Sequence, residues 1–364
     1  MKLKEIISVF EKEAPLAWQE SYDNSGLQTG DENTEIKSAL LTIDVTEEVV
    51  DEAIKKKSNL IICHHPVIFG GIKKLTTKTP VERILRKAIQ KDIAIYAAHT
   101  NLDNIKNGVN SKICDKLGLK NRKILSPVKN SLKKIVVFVP ETHADKVRKA
   151  ICDAGAGHIG NYDFCSFNVQ GTGTFRGSEE TNPFVGEKGK IHFEKEIRIE
   201  TIIPSFLQNS VVNAMKSAHP YEEVAYDIYP IENKNEEIGA GMTGELEKEI
   251  ETLKFFNFIK KTFGVKSIRH TEITKNKIKK IAVCGGSGSF LIRDAISSGA
   301  DIFITGDVKY HQFFDAENRI IIADIGHFES ERFTNEIFYD LLTKKFPKFA
   351  VNFSETSTNP IYYY

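Results

Sequence analysis

The sequence predicts an α/β protein: a two-lobed core built on largely parallel sheets, with a ferredoxin-like α+β domain inserted between the two halves. Three observations carry this reading. Before residue 126, short apolar runs that end in turn residues alternate with stretches of helical periodicity, the pattern of βα units and a parallel sheet. The same alternation resumes after residue 239. Between them, residues 127–238 read strand, helix, strand, strand, helix, strand, the order of a ferredoxin-like plait. The chain therefore divides into 1–126, 127–238 and 239–364, since 364 residues exceed one core of ordinary size.

In the first segment, Leu3, Ile6, Ile7 and Phe10 fall at helical spacing, and Pro15 closes the helix. A loop dense in turn formers follows, carrying Tyr22, Asp23 and Asn24 together. Residues 39–46 form a strand with Asp44 at its end, and Thr46 is placed to cap the helix of Val49, Val50, Ala53 and Ile54. The next strand, 59–63, is almost wholly apolar and runs into His64-His65-Pro66. Because side chains alternate along a strand, the two imidazoles diverge where it ends. Two metal ions, one on each ring, fit such neighbours more easily than one. A helix over 80–91 leads to the strand 93–98, which delivers His99-Thr100-Asn101-Leu102-Asp103 ahead of a helix through Val109, Ile113 and Leu117. Asp44, His64, His65, His99 and Asp103 thus gather at the carboxyl end of one parallel sheet, where α/β proteins keep their chemistry.

The middle segment reads as a strand at 134–140, a helix at 143–154, glycine-rich strand-like sequence through Gly171, Gly173, Phe175 and Gly177, a strand at 195–203, a helix at 206–217 and a strand at 224–230. Its histidines, His143, His158, His192 and His219, show no carboxylate at helical or strand spacing and are read as surface or hydrogen-bonded groups.

From Gly239 the spacing predicts a glycine-rich hinge over 239–244 and a helix over 251–262. The strand 281–284 ends in Gly285-Gly286-Ser287-Gly288-Ser289, a loop type that can cradle phosphate. It lacks the Lys-Ser/Thr of a P-loop, and tight βα turns use glycine for steric reasons as often. The strand 301–305 then runs into Gly306-Asp307, with Tyr310-His311 after it, and the strand 319–323 runs into Asp324-Ile325-Gly326-His327, with Glu331 one turn beyond. On a helix starting near Gly326, His327 and Glu331 share a face. A surface partner for Arg332 or Asn335 is the other reading of Glu331.

Hydrophobic content of 41% and charged content of 27% are those of a soluble globular protein. Lys+Arg 50 against Asp+Glu 49 leave a formal charge of +1, so no overall field recruits nucleic acid or an anionic membrane. No apolar run approaches the roughly 18 to 20 residues that span a bilayer, and the charged amphipathic start is not that of a signal peptide. The 5 cysteines, Cys63, Cys114, Cys152, Cys165 and Cys284, form no Cys-x-x-Cys pair, and reduced thiols in a cytoplasm are the expectation.

Three histidines and two carboxylates, His64, His65, Asp103, His327 and Glu331, suit two transition-metal ions sharing a carboxylate bridge, with positions left for water. Mixed imidazole and carboxylate ligation favours zinc, manganese, iron or cobalt. The stretches Asp23-Asn24-Ser25-Gly26-Leu27, His64-His65-Pro66, His99-Thr100-Asn101-Leu102-Asp103, Thr305-Gly306-Asp307 with Tyr310-His311, and Gly326-His327 with Glu331 resemble the Ngg-interacting-factor-three family, whose members are also labelled GTP cyclohydrolase 1 type 2 homologues. The inserted middle segment is similar to the long bacterial form. The resemblance implies a two-lobed α/β core with one metal on His65 and Asp103, a second on His64 and His327, and Glu331 between them. It also implies a toroidal homohexamer and a nucleotide-like ligand, with hydrolytic opening of the GTP ring as the activity in the label. His99, Asp307 and His311 are then groups that orient ligands or transfer protons. The rival expectation is a non-catalytic metal-binding regulatory or scaffold ring. A closed structural cage uses four ligands per ion, more than this set supplies to two, which favours the hydrolase.

Overall fold

The structure, a computed structural model, describes residues 1–364. It divides into two compact units, one made of Met1–Pro127 with Glu236–Tyr364, the other of Val128–Asn235.

The larger unit holds two sheets. In the first the order is Gly26–Thr29, Ala94–Ala97, Leu60–Cys63, Ser38–Thr42, Ala350–Phe353. All neighbours are parallel except the Gly26–Thr29 edge. In the second the order is Arg269–His270, Ile321–Asp324, Ile302–Gly306, Lys277–Ser287, Asn235–Glu251, Lys120–Val128. Its three inner strands from Ile321–Asp324 to Lys277–Ser287 are parallel. Alternation along the strands splits the core. Leu41, Ile62 and Tyr96 of the first sheet share one cluster with Ile281, Val283, Ile304 and Ala323 of the second. Between them pack the apolar faces of helices Leu3–Glu13, Val109–Leu117, Thr252–Phe263 and Thr334–Lys345. Leu40, Ile61 and Ile95 face outward onto helices Glu47–Lys55 and Pro80–Gln90. Thr46 caps the former as expected, its hydroxyl accepting from the Val49 amide.

Each half of this unit lends the other an edge strand. Ala350–Phe353 lies parallel to Ser38–Thr42 in the first sheet, while Lys120–Val128 borders Asn235–Glu251 in the second. Neither strand was expected from the sequence, and the boundary between halves is accordingly not a boundary between sheets. The segment expected as a hinge, 239–244, lies inside the long strand Asn235–Glu251. Gly239 has φ of +156°, and a side chain there would press on the Ser126 carbonyl and Pro127. Glycine here admits a neighbouring backbone rather than freeing the chain.

The smaller unit runs Leu132–Pro140, Ala144–Asp153, Phe167–Phe175, His192–Pro204, Gln208–Ala218, Tyr226–Pro230 in strand and helix order βαββαβ. Its sheet order is Phe167–Phe175, His192–Pro204, Leu132–Pro140, Tyr226–Pro230, antiparallel throughout. Ile135, Val137, Val139 and Ile199 pack beneath its two helices. One histidine departs from the sequence reading: His192 Nε2 lies 2.8 Å from Glu194 Oε2, a carboxylate two residues along the strand.

Candidate metal centre

Strand Leu60–Cys63 ends where the His64 and His65 amides both donate to the Ile43 carbonyl, at 3.1 and 3.0 Å. This pins the two imidazoles beside the end of the neighbouring strand. From the second sheet, Ile321–Asp324 leads through Gly326 into the short helix His327–Glu331, which presents His327 and Glu331 one turn apart. Glu331 is 3% exposed and its carboxylate stands between the two sets of donors. Oε2 lies 3.0 Å from His65 Nε2 and 3.1 Å from His327 Nε2, and Oε1 lies 3.6 Å from His64 Nε2. Asp103, on the short helix Thr100–Asp103, brings Oδ1 to 3.6 Å from His64 Nε2. The surface-partner reading of Glu331 falls on its burial.

The donors group as His65, His327 and Glu331 on one side and His64, Asp103 and Glu331 on the other. The resemblance had paired His65 with Asp103 and His64 with His327. The structure exchanges these partners, because the partner each diverging ring meets depends on how the second sheet stands against the first. His99 is closer in than expected. With His64 and His65 it forms a third group of donors, its ring centre 5.2 and 5.3 Å from theirs.

Each imidazole is fixed from behind through Nδ1. His65 bonds Asp44 Oδ1 at 2.7 Å, His327 bonds Asp307 Oδ2 at 2.6 Å, His99 bonds Asp23 Oδ1 at 2.7 Å, and His64 donates to the Ala98 carbonyl at 2.8 Å. That leaves Nε2 of each ring for the centre, the arrangement by which outer carboxylates and carbonyls orient metal-ligating histidines. Asp307 thus holds the far nitrogen of the His327 ring. Asp44 and Asp23 hold their rings in the same way; the sequence gathered Asp44 at the sheet end without that task, and left Asp23 in a loop. Strand-end position was the signal for Asp44; for Asp23, inside a loop of turn formers, none separated it from its neighbours. His311 is not brought in: it is exposed on the turn Tyr310–Ala316, against Tyr310 and Phe314.

The glycine loop serves this centre rather than a phosphate. Gly286 has φ of +62°, and a side chain there would press into Glu331 Oε1. Its amide donates to Ser330 Oγ at 2.9 Å, and Asn110 accepts from the Gly285 amide at 3.0 Å while donating to the Asp103 carbonyl at 3.0 Å.

The electrostatics are those of a site arranged around positive charge. Burial alone lowers His65 and His327, but Asp44 and Glu331 lift the first to about 10, and Glu331 and Asp307 lift the second to about 9. Burial would raise Glu331, yet His64, His327 and His65 hold it well below the usual carboxylate range. Burial and the Glu331 charge push Asp103 up. Meanwhile His64 Nε2 and Asp103 Oδ1 are buried with no hydrogen-bond partner. Two orphaned polar atoms facing one another are costly in a dry site, and a cation between them relieves both. The donor set thus fits divalent metal. Beside it opens a cleft of about 360 Å³ lined by Tyr22, Phe69, His99, Asn110, Cys284 and Phe290 among others.

The Duf34/NIF3 (NGG1p interacting factor 3) family model matches residues 1–360. The chain belongs to this family. Among its NIF3 relatives, a protein of Halalkalibacterium halodurans named GTP cyclohydrolase 1 type 2 homolog is 46% identical over 88% of this chain and 87% of its own length. One of Bacillus subtilis with the same name is 41% identical over 98% of this chain and 97% of its own. A solved Bacillus cereus protein related to NIF3 superposes with a TM-score of 0.85 at 42% identity, covering 100% of this chain and 99% of that one. The match runs through both lobes and the middle unit, so this NIF3 chain shares its architecture with relatives along its whole length.

Proposed function

We propose that this NIF3-family chain is a metal-dependent hydrolase that holds two divalent transition-metal ions, zinc, manganese, iron or cobalt, and acts on GTP or a related nucleotide. The observation that carries the reading is the buried, unsatisfied pair His64 Nε2 and Asp103 Oδ1 across Glu331 from His65 and His327, beneath an open cleft. Two such ions supply Lewis acidity and an acidified water near neutral pH. The chain's own groups do the rest. Glu331 spans both donor sets, so its charge offsets two dications. Asp23 fixes the His99 ring from behind, leaving Nε2 over the centre to take up or return a proton. Burial raises Asp23, but His99, the Thr100 hydroxyl and the Asn24 amide outweigh it and hold the carboxyl far below its ordinary value, so it stays anionic. Tyr22, Phe69 and Phe290 offer flat surfaces at the cleft for a base. The relatives' printed name supports GTP as the first substrate, attacked at the purine C8.

The test is turnover by metal-loaded protein against a nucleotide panel, following loss of the intact purine ring. Ring opening of GTP that stops with a Glu331→Gln variant supports the reading. Intact nucleotides after prolonged incubation with protein carrying two ions per chain would replace it with the metal-binding scaffold. The same reading includes a homohexameric ring, supported by the family likeness, and a cytoplasmic setting, supported by five unpaired cysteines. Sedimentation showing a monomer would remove the ring. No helix is long and apolar enough to cross a membrane.

A further inference from the structure

The sheet of the Val128–Asn235 unit is covered by helices on one face, and its other face carries a cavity of about 560 Å³. Alternation along strand His192–Pro204 builds the floor: Ile197, Ile199 and Ile203 pack with the helices, which sends Glu194, Glu196 and Arg198 to the opposite side. Two segments roof it, one carrying Thr181 and Phe184, the other Tyr221 and Glu222. The Asn182 amide joins them by donating to Glu222 Oε1 at 2.9 Å. At the floor Glu196 is only 9% exposed. Its Oε1 accepts from the Tyr221 hydroxyl at 3.1 Å, and a side chain on Gly173 of the adjoining strand would press into its carboxylate. No lysine or arginine pairs with it, since Arg198 on the same face is engaged by Glu200 at 2.8 Å. The walls are aromatic, with Phe175 and Phe184 ring centres 5.8 and 6.3 Å from that of Tyr221. Glu222 and Glu223 also line the cavity, against Arg176 as its other basic residue. Burial, and the charge of Glu194, push the Glu196 carboxyl up; a cation beside it favours the ionised form.

We propose that this cavity binds a small organic cation, an amidinium or ammonium on a flat apolar body, with Glu196 as counter-ion and Phe175, Phe184 and Tyr221 as walls. Ring faces attract cations, most strongly where water is excluded, and a concave apolar pocket with one placed polar group is the usual form of a small-molecule site. An anion would meet Glu196, Glu222 and Glu223 with only Arg176 uncommitted.

Calorimetric titration of the full chain with benzamidine, benzylamine and benzoate tests this. Saturable binding of the two cations and not of benzoate is expected. Glu196→Gln, which keeps size and the tyrosine contact, should weaken benzamidine by about tenfold or more. Phe184→Ala, at a site 51% exposed and clear of the core, should also weaken it. Glu331→Gln should leave it unchanged, which places the event outside the metal cleft. Benzoate binding as well as benzamidine, indifference to Glu196→Gln, or no saturable binding of either cation each overturns the proposal.

Discussion

Glu331 and Asp44 both touch His65, yet their loss should differ in kind. Glu331→Gln keeps the volume but removes the charge shared by both donor groups, and an amide is a poor bridge between dications. Purified variant is expected to retain less than one metal ion per chain by elemental analysis, and two tightly held ions would refute the bridge. Asp44→Asn leaves every donor in place and disturbs only how His65 is held, so affinity should drop by about 10 to 100-fold while saturation is still reached at high metal. His311→Ala should change neither, given its place on the outer turn. Metal binding should also release protons. His65 and His327, lifted to about 10 and 9, are protonated at neutral pH in metal-free protein and must be neutral to ligate. Affinity therefore rises with pH, and calorimetry in buffers of differing ionisation enthalpy should show protons leaving; equal affinity at pH 6 and 8 would contradict it. The sign reverses for metal-free stability. A raised histidine stabilises the fold below its ordinary 6.5, and that contribution fades as pH climbs through about 9 to 10.

Among the elements, the last strand is paired with Ser38–Thr42, and the segment that follows it is clasped by a single carboxylate. Glu52, on helix Glu47–Lys55, accepts from Ser354 Oγ at 2.6 Å, Thr356 Oγ1 at 2.7 Å and the Glu355 amide at 2.8 Å, with Lys56 Nζ at 2.8 Å. Just beyond, Thr358 bonds Asp44 and Asn359 bonds Glu329 at 2.8 and 3.1 Å, so the same segment reaches the back of the metal centre. Burial raises the Glu52 carboxyl, but Lys56 and the other donors outweigh it and hold it far below the usual range. Its stabilisation is thus complete above the ordinary 4.5 and is lost as pH falls below it. Glu52→Gln should cost about 1–3 kcal/mol and speed amide exchange across 350–356; unchanged exchange there would show the clamp to be ornamental. Nothing in the sequence announced this strand. Ala350–Phe353 is four residues long and follows a lysine-rich helix, and its pairing with Ser38–Thr42 is a contact between chain ends. Lys120–Val128 was invisible for a related reason, its polar first half resembling a loop. By contrast, strands buried on both faces, such as Leu60–Cys63 and Ile302–Gly306, were legible from composition alone, and so were the candidate site residues at their ends. The hinge reading of 239–244 failed because glycine signals close approach and flexibility with the same letter.

For the molecule as a whole, the strands Lys120–Val128 and Asn235–Glu251 lie side by side, so the two points where the middle unit joins the core are neighbours. Replacing Val128–Asn235 by a short Gly/Ser linker should leave a cooperatively folding, metal-binding remainder, because that unit has its own core. Loss of the unfolding transition or of bound metal would count against that separation. Cutting at the same place has the opposite expectation. Fragments 1–126 and 239–364 made separately each lack an edge strand that the other holds, and should show near-UV circular dichroism only when mixed. The five residues expected as ligands lie together, but His99 joins them as a donor and the pairing differs from the expected one, since strand order within a sheet follows from local rules while the facing of two sheets does not.

The exchange of edge strands also sets an order of events during synthesis. A ribosome working from the amino end releases His64, His65, His99 and Asp103 long before Glu331, and Ala350–Phe353 later still. Until then the nascent first sheet has an unpaired flank, and its imidazoles lack the carboxylate that joins the two donor groups. The complete centre is therefore a property of finished chains, and chains stalled short of residue 327 should hold metal far more weakly than released protein.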